Sequence, residues 1–285
     1  MIIEAFFQLL QFVGYFMTIG AVGFRFGIVR RIPGMSDEAR IILNADNAAL
    51  FGVVGVILLA LSYLGGPYIE SFTHDKTFIA SLPKNLPAFE FKMAMLGLAL
   101  AGFLVVRVAS LIGWTLAAIA ILVAVLQPVY TGRLAGKVNA VHILAASSWL
   151  GTLLVLTVIG IRGVISSGST GTQRAELVAN LVNSFSPLAL TAATIVGITG
   201  LTTAWLHLKR LSSIWTTSYG MTLVVKLCLV LVVVMMGAWN WRRVRPSLGG
   251  EGSEETIRRS ATLELTFAAL VLLVTSVLVI LPSPK

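Results

Sequence analysis

Runs of about twenty apolar residues recur eight times along this chain of 285 residues, and they decide what it can fold into. A helix rises 1.5 Å per residue, so about 20 residues cross the roughly 30 Å of hydrocarbon in a bilayer. We read spans at 3–27, 45–66, 89–107, 109–129, 138–161, 184–206, 219–241 and 261–281. These runs are too long and too continuous to be the alternating strands of about ten residues that build a membrane barrel. Inside lipid, the remaining way to satisfy every backbone group is a helix. The expected fold is an all-α membrane protein, a bundle of about eight transmembrane helices. Charge agrees, since 12% of the residues are charged against about 25% in a soluble domain. The longest connections, 67–88, 162–183 and 242–260, are too short for an additional folded domain.

A net charge of +9 could suggest a nucleic-acid partner. The basic residues instead sit in short turns between apolar runs, where they encode topology. Acidic membrane lipid is the expected partner, and nucleic acid is not. Taking alternate connections together, one side holds twelve Lys and Arg and the other eight. The richer side should face the cytoplasm, which puts both termini outside. Tyr68, Tyr130, Trp215 and Tyr219 then fall at outer ends, with Trp239 and Trp241 at an inner end, as interfacial anchors do. Met1 to Phe7 carries Glu4 and no Lys or Arg, so the first run lacks the basic start of a cleaved signal and is expected to be retained. Cys228 is the single cysteine, so no internal disulfide can form.

An ionisable side chain in hydrocarbon is costly unless it is paired or faces a cavity. Counting the rise per residue puts His142 roughly 6 Å and Lys226 roughly 10 Å below the outer ends of their spans, with Met93 and Met95 at comparable depth. Glu4, Gln8 and Gln11 step down the first span, and His207 closes the outer end of the sixth. The inner half offers Asn44, Asp46, Asn47 and Glu264. This asymmetry predicts a polar cavity in the outer half, with Glu4, Gln8, Gln11, Trp149, Tyr219 and Lys226 as cavity or gating residues.

Plainer roles compete for the same residues. His142 could simply hydrogen-bond a neighbouring helix, Lys226 could snorkel, and Met is ordinary core filler. Met93 and Met95 stand about 200° apart around a helix, so both cannot face one site. Trp149, seven residues after His142, shares its face and reads as a packing wedge. The small residues from Ala145 to Gly151 permit close helix approach.

Three segments occur in order: VNAVHILAASSWLGTLLVL (138–156), FSPLALTAATIVGITGL (185–201) and WTTSYGMTLVVKLCLVL (215–231). Together they resemble the copper resistance D family of bacterial inner-membrane proteins. The segment match covers about 138–245, and the eight-span plan extends it over the chain. The resemblance implies copper transport or copper tolerance at the cytoplasmic membrane, with copper as cargo and a separate periplasmic copper-carrying protein as a partner. His142, Trp149, Tyr219 and Lys226 match the motif positions. The chain departs at YTGRLAG (130–136), where Arg133 stands in place of a His that many members carry. Cu(I) favours thioether, thiolate and imidazole, so the metal-contact candidates are His142, Met93, Met95, Met221 and His207.

Two other readings stay open. The fifth span also resembles, more loosely, a four-helix oxidase of the heme pathway. A heme-linked oxidoreductase would need heme b between His142 and His207, because His74 lies in a connection. A non-transporting membrane subunit of a complex is the other, and a homo-oligomer remains open as well. Finally, Gln11 and Gly20 repeat the nine-residue spacing of His142 and Gly151. Residues 1–137 and 138–285 are therefore expected to be two four-helix halves related by an axis along the membrane normal.

Overall fold

The computed structural model describes residues 2–32, 45–74, 77–166, 171–208, 212–244 and 253–282. Among them there is no strand, and eight helices are long and apolar enough to cross a membrane. We label these spans α1 (Ile2–Arg31), α2 (Asn47–Gly65), α3 (Ala88–Val105), α4 (Ser110–Tyr130), α5 (Leu134–Val164), α6 (Gly171–His207), α7 (Ser218–Arg242) and α8 (Ile257–Ile280). Their outward surface is apolar, with Leu111, Ile112, Leu190 and Leu201 all more than 60% exposed. That is stable only where the solvent is lipid.

The expected spans hold, but their limits need correction. The sixth helix starts at Gly171, well before residue 184. Gln173, Arg174 and Glu176 interrupt the apolar run there, yet Ala175, Val178 and Leu181, spaced by three, are buried on one face. Much of the 67–88 connection is helix as well, because helices run over Ala45–His74 and Thr77–Val105. His74 thus ends a helix; Asn44 and the side chain of Asp46 lie outside the described residues.

The centre of the bundle is α1, which packs on α2, α4, α5, α6 and α8. Around it, α4 joins α3 to α5, α5 packs on α6, and α7 packs on α8. The tightest approach is between α1 and α5. A Cβ added to Gly20 would lie 2.3 Å from the Gly151 carbonyl oxygen, and one on Gly151 would lie 2.2 Å from the Phe16 carbonyl oxygen. Only glycine lets two backbones come this close. The core then closes on fully buried Phe24 and Ile28 from α1 and Val155, Leu156 and Ile161 from α5.

Four stretches have π-helical turns: Phe24–Ile28, Ser147–Gly151, Leu156–Ile161 and Asn240–Val244. Those at Phe24–Ile28 and Leu156–Ile161 follow Gly20 and Gly151 by four and five residues, so α1 and α5 share a local geometry as well as a spacing. Such turns often mark functional positions.

Candidate metal-contact site

His142 lies on the first part of α5, facing α6. Its Nδ1 is 2.9 Å from Thr199 Oγ1. The hydroxyl proton of Thr199 is directed at the Ile195 carbonyl, 2.6 Å away. A hydroxyl has one proton to give, so here it accepts from the ring. The ring therefore donates through Nδ1–H, and in the neutral imidazole Nε2 keeps its lone pair for a ligand. Gly200 makes room: a Cβ there would sit 3.3 Å from His142 Cε1. Lys226 is half-buried on α7.

Trp149 is buried two turns further along α5, in its π-helical stretch. There Phe16, Leu150, Ala192, Val233, Ala268 and Val271 meet it, drawing on α1, α5, α6, α7 and α8. It floors the region below His142 as a packing wedge. Toward the other end, Tyr219 is buried with Leu223 and Leu278, and Ala204 of α6 and Leu208 just past its end pack on them. Thr217 caps α7 by accepting from the Gly220 N–H at 3.0 Å. Gly220 is required because a Cβ would sit 2.4 Å from the carbonyls of Ser213 and Ile214. The Tyr-Gly turn of the motif is thus a helix start that delivers Tyr219 to this cluster.

The remaining candidates are not gathered around His142. Met93 packs against the main core cluster, and Met95 is half-buried on α3, a helix that packs on α2 and α4. Met221 is 54% exposed on the outward face of α7. Equal depth did not imply adjacency, because depth says nothing about which helices are neighbours. Gln11 turns to a different set: its Nε2 donates to Tyr63 Oη at 2.6 Å, Tyr63 shares a hydrogen bond with Tyr15, and Lys92 Nζ lies 4.4 Å from the centre of the Tyr63 ring. Gln8 is half-buried on α1, and Glu4 is exposed on its first turn.

The two histidines do not face one another either. His207 Nδ1 is 2.8 Å from the Thr203 carbonyl, and its ring stacks on Tyr219 at 6.3 Å between centroids. It sits eight residues beyond Thr199 on α6, about 12 Å along the helix, so the pair cannot bind one heme iron from both sides. Among the described residues, no three His, Cys, Asp or Glu side chains gather as a metal site.

A second polar cluster appears at the opposite end. Glu264 of α8 is 4% exposed. Asn240 Nδ2 donates to its Oε2 at 3.3 Å, and Ser260 Oγ donates to Asn240 Oδ1. Sequence reading singled out Glu264 but missed Asn240, Ser260, Thr199, Tyr15 and Tyr63. Only Asn240 left a trace, since it follows Lys226 on the same face of α7.

Residues 179–278 match the family described as Copper resistance protein D, which takes in most of α6, all of α7 and nearly all of α8. The Copper transport protein CutJ of Bacillus subtilis (strain 168) is 27% identical over 143 residues, covering 50% of this chain and 24% of that protein. The matched stretch thus spans about a quarter of the relative's length. No solved structure matches the chain. With the His-bearing α5, the Gly200 recess and the Tyr-Gly start of α7 in their expected order, this eight-helix membrane protein is similar, over residues 179–278, to the copper resistance D family.

Proposed function

We propose that the chain carries copper across the bacterial cytoplasmic membrane, passing it through the polar region between α5, α6 and α7. The observation that carries this reading is the fixed tautomer of His142, whose Nε2 lone pair is available to a soft cation while Thr199 holds the other nitrogen. Imidazole binds Cu(I) well. One imidazole beside an ammonium makes a weak and transient contact, which suits passage and not storage. The chain acts as a transporter, not an enzyme, and copper is its cargo. A relative bearing the name copper transport protein supports the same reading.

In this reading the Arg-rich end of the bundle lies in the cytoplasm, both termini lie outside, and a separate periplasmic copper-carrying protein delivers the ion. Residues 1–137 and 138–285 are old duplicates. Gly20 and Gly151 meet face to face near their axis, and Gln11 with Tyr63 and Lys92 stands where the second half has His142 with Thr199 and Lys226. On that account the second half keeps the metal contact and the first has exchanged it for a hydrogen-bonded brace.

Two experiments test this. Vesicles containing the purified protein should accumulate Cu(I) faster than protein-free vesicles, and equal rates would refute transport. Cysteine labels placed in 67–88 should react with an impermeant reagent from outside whole cells, whereas labels in 245–250 should react only after permeabilisation. The reverse pattern would invert the orientation.

A further inference from the structure

From the cluster at the Arg-rich end we infer that Glu264, Asn240 and Ser260 form a proton-binding site whose proton is exchanged for the passing copper ion. The second clause rests on the transport reading; the first does not. Among the described acidic side chains, Glu264 is the buried one. A carboxylate within a membrane span is stable only with a proton or a cation beside it. Its hydrogen-bond partner is the neutral amide of Asn240, which Ser260 orients in turn.

The charged groups on the elements packed against α8 near this end include Arg25 and the exposed Arg30 and Arg31 on α1, Arg162 on α5, Arg174 and the exposed Glu176 on α6, and Arg242 on α7. Arg258 and Arg259 lie on α8 itself. Arg162, Arg242, Arg258 and Arg259 are exposed, while Arg25 and Arg174 are half-buried.

Helix geometry connects this cluster to the metal-contact region. Tyr219, Leu223, Lys226, Val230, Val233, Gly237 and Asn240 follow one another at alternating spacings of four and three, so they form one stripe along α7. Lys226 marks one polar end and Asn240 the other, about 21 Å apart, with buried Val233 between them. Gly237 leaves space beside the carboxylate, since a Cβ there would be 3.7 Å from Glu264 Oε1.

A carboxyl in this position can be neutralised by a proton or by a monovalent cation, and not by both at once. The exchange therefore balances: the acid gives up its O–H proton to the side from which Cu(I) arrives, the carboxylate neutralises the ion, and on release of Cu(I) it takes a proton from the side that receives the ion. No electron moves.

The test uses the full chain in lipid. Infrared difference spectra on acidification should show a carboxylic C=O stretch that Glu264→Gln removes and Glu264→Asp keeps at a shifted position. Identical spectra for wild type and Glu264→Gln would overturn the proton site, whatever copper does. With a pH dye enclosed in vesicles, Cu(I) entry should remove one proton per ion from the lumen in wild type, read as alkalinisation, and Glu264→Gln should lose that change. An unchanged lumenal alkalinisation in Glu264→Gln would overturn the exchange. If wild-type vesicles take up no Cu(I), the transport reading and the exchange both fail, and the infrared band alone decides the proton site.

Discussion

Valine at Gly151 should leave almost no stably folded protein, and valine at Gly20 should do the same. A Cβ at either position meets backbone of the facing helix at 2.2 to 2.3 Å, and backbone cannot rotate away as a flexible side chain can. Overpacking a tight core costs about 1–3 kcal/mol and occasionally more. This crossing is the harder case because α1, which contacts five other spans, would have to move as a unit. Separating α1 from α5 would also open the shared core around Phe24, Val155 and Leu156. Gly97→Val is the matched control, since nothing lies within 4 Å of a Cβ there. Thermal unfolding in detergent, followed by loss of the monodisperse peak, should show a large drop for Gly20→Val and Gly151→Val and none for Gly97→Val. Equal stability in all three would mean that α1 and α5 do not cross at these glycines.

The bundle was readable from sequence because the bilayer sets a length and a composition that each span must meet separately. The number and type of helices followed from that local rule. What failed were inferences that need to know which helices are neighbours. Met93, Met95 and His142 share a depth, yet α3 packs on α2 and α4 while His142 turns to α6. Gln11 was grouped with the outer cavity and instead belongs to Tyr63 and Tyr15. The start of α6 was missed because Gln173, Arg174 and Glu176 lower the hydropathy of a stretch whose buried face is apolar. The π-helical turns left no mark in composition. Trp149 was legible for a local reason: seven residues after His142 is two turns, and the same face.

Thr199→Val should weaken copper binding by about 10- to 100-fold, the range for losing a group that orients a metal-bound histidine. Valine keeps the shape of threonine but gives the Nδ1–H of His142 nothing to donate to. The imidazole is then free to turn or to change tautomer, and Nε2 no longer points its lone pair reliably into the space beside α6. Helicity and thermal stability should stay close to wild type, because the Thr199 side chain is only partly buried and the backbone bonds of α6 remain. A Thr199→Ser variant keeps the hydroxyl and should bind nearly as wild type does. If Thr199→Val bound copper unchanged while Thr199→Ser did not, the hydroxyl would have no part in holding the ring.

The account stands or falls on whether copper meets His142. The direct measurement is a Cu(I) competition titration of the purified protein against a chromophoric chelator, run in parallel on wild type, His142→Ala and the double variant Met93→Ala/Met95→Ala. Wild type should compete measurably, His142→Ala should lose that competition, and the methionine variant should match wild type, because Met93 packs against the main core cluster and α3 packs on α2 and α4. Unchanged affinity in His142→Ala, or a loss confined to the methionine variant, would contradict the assignment of this site.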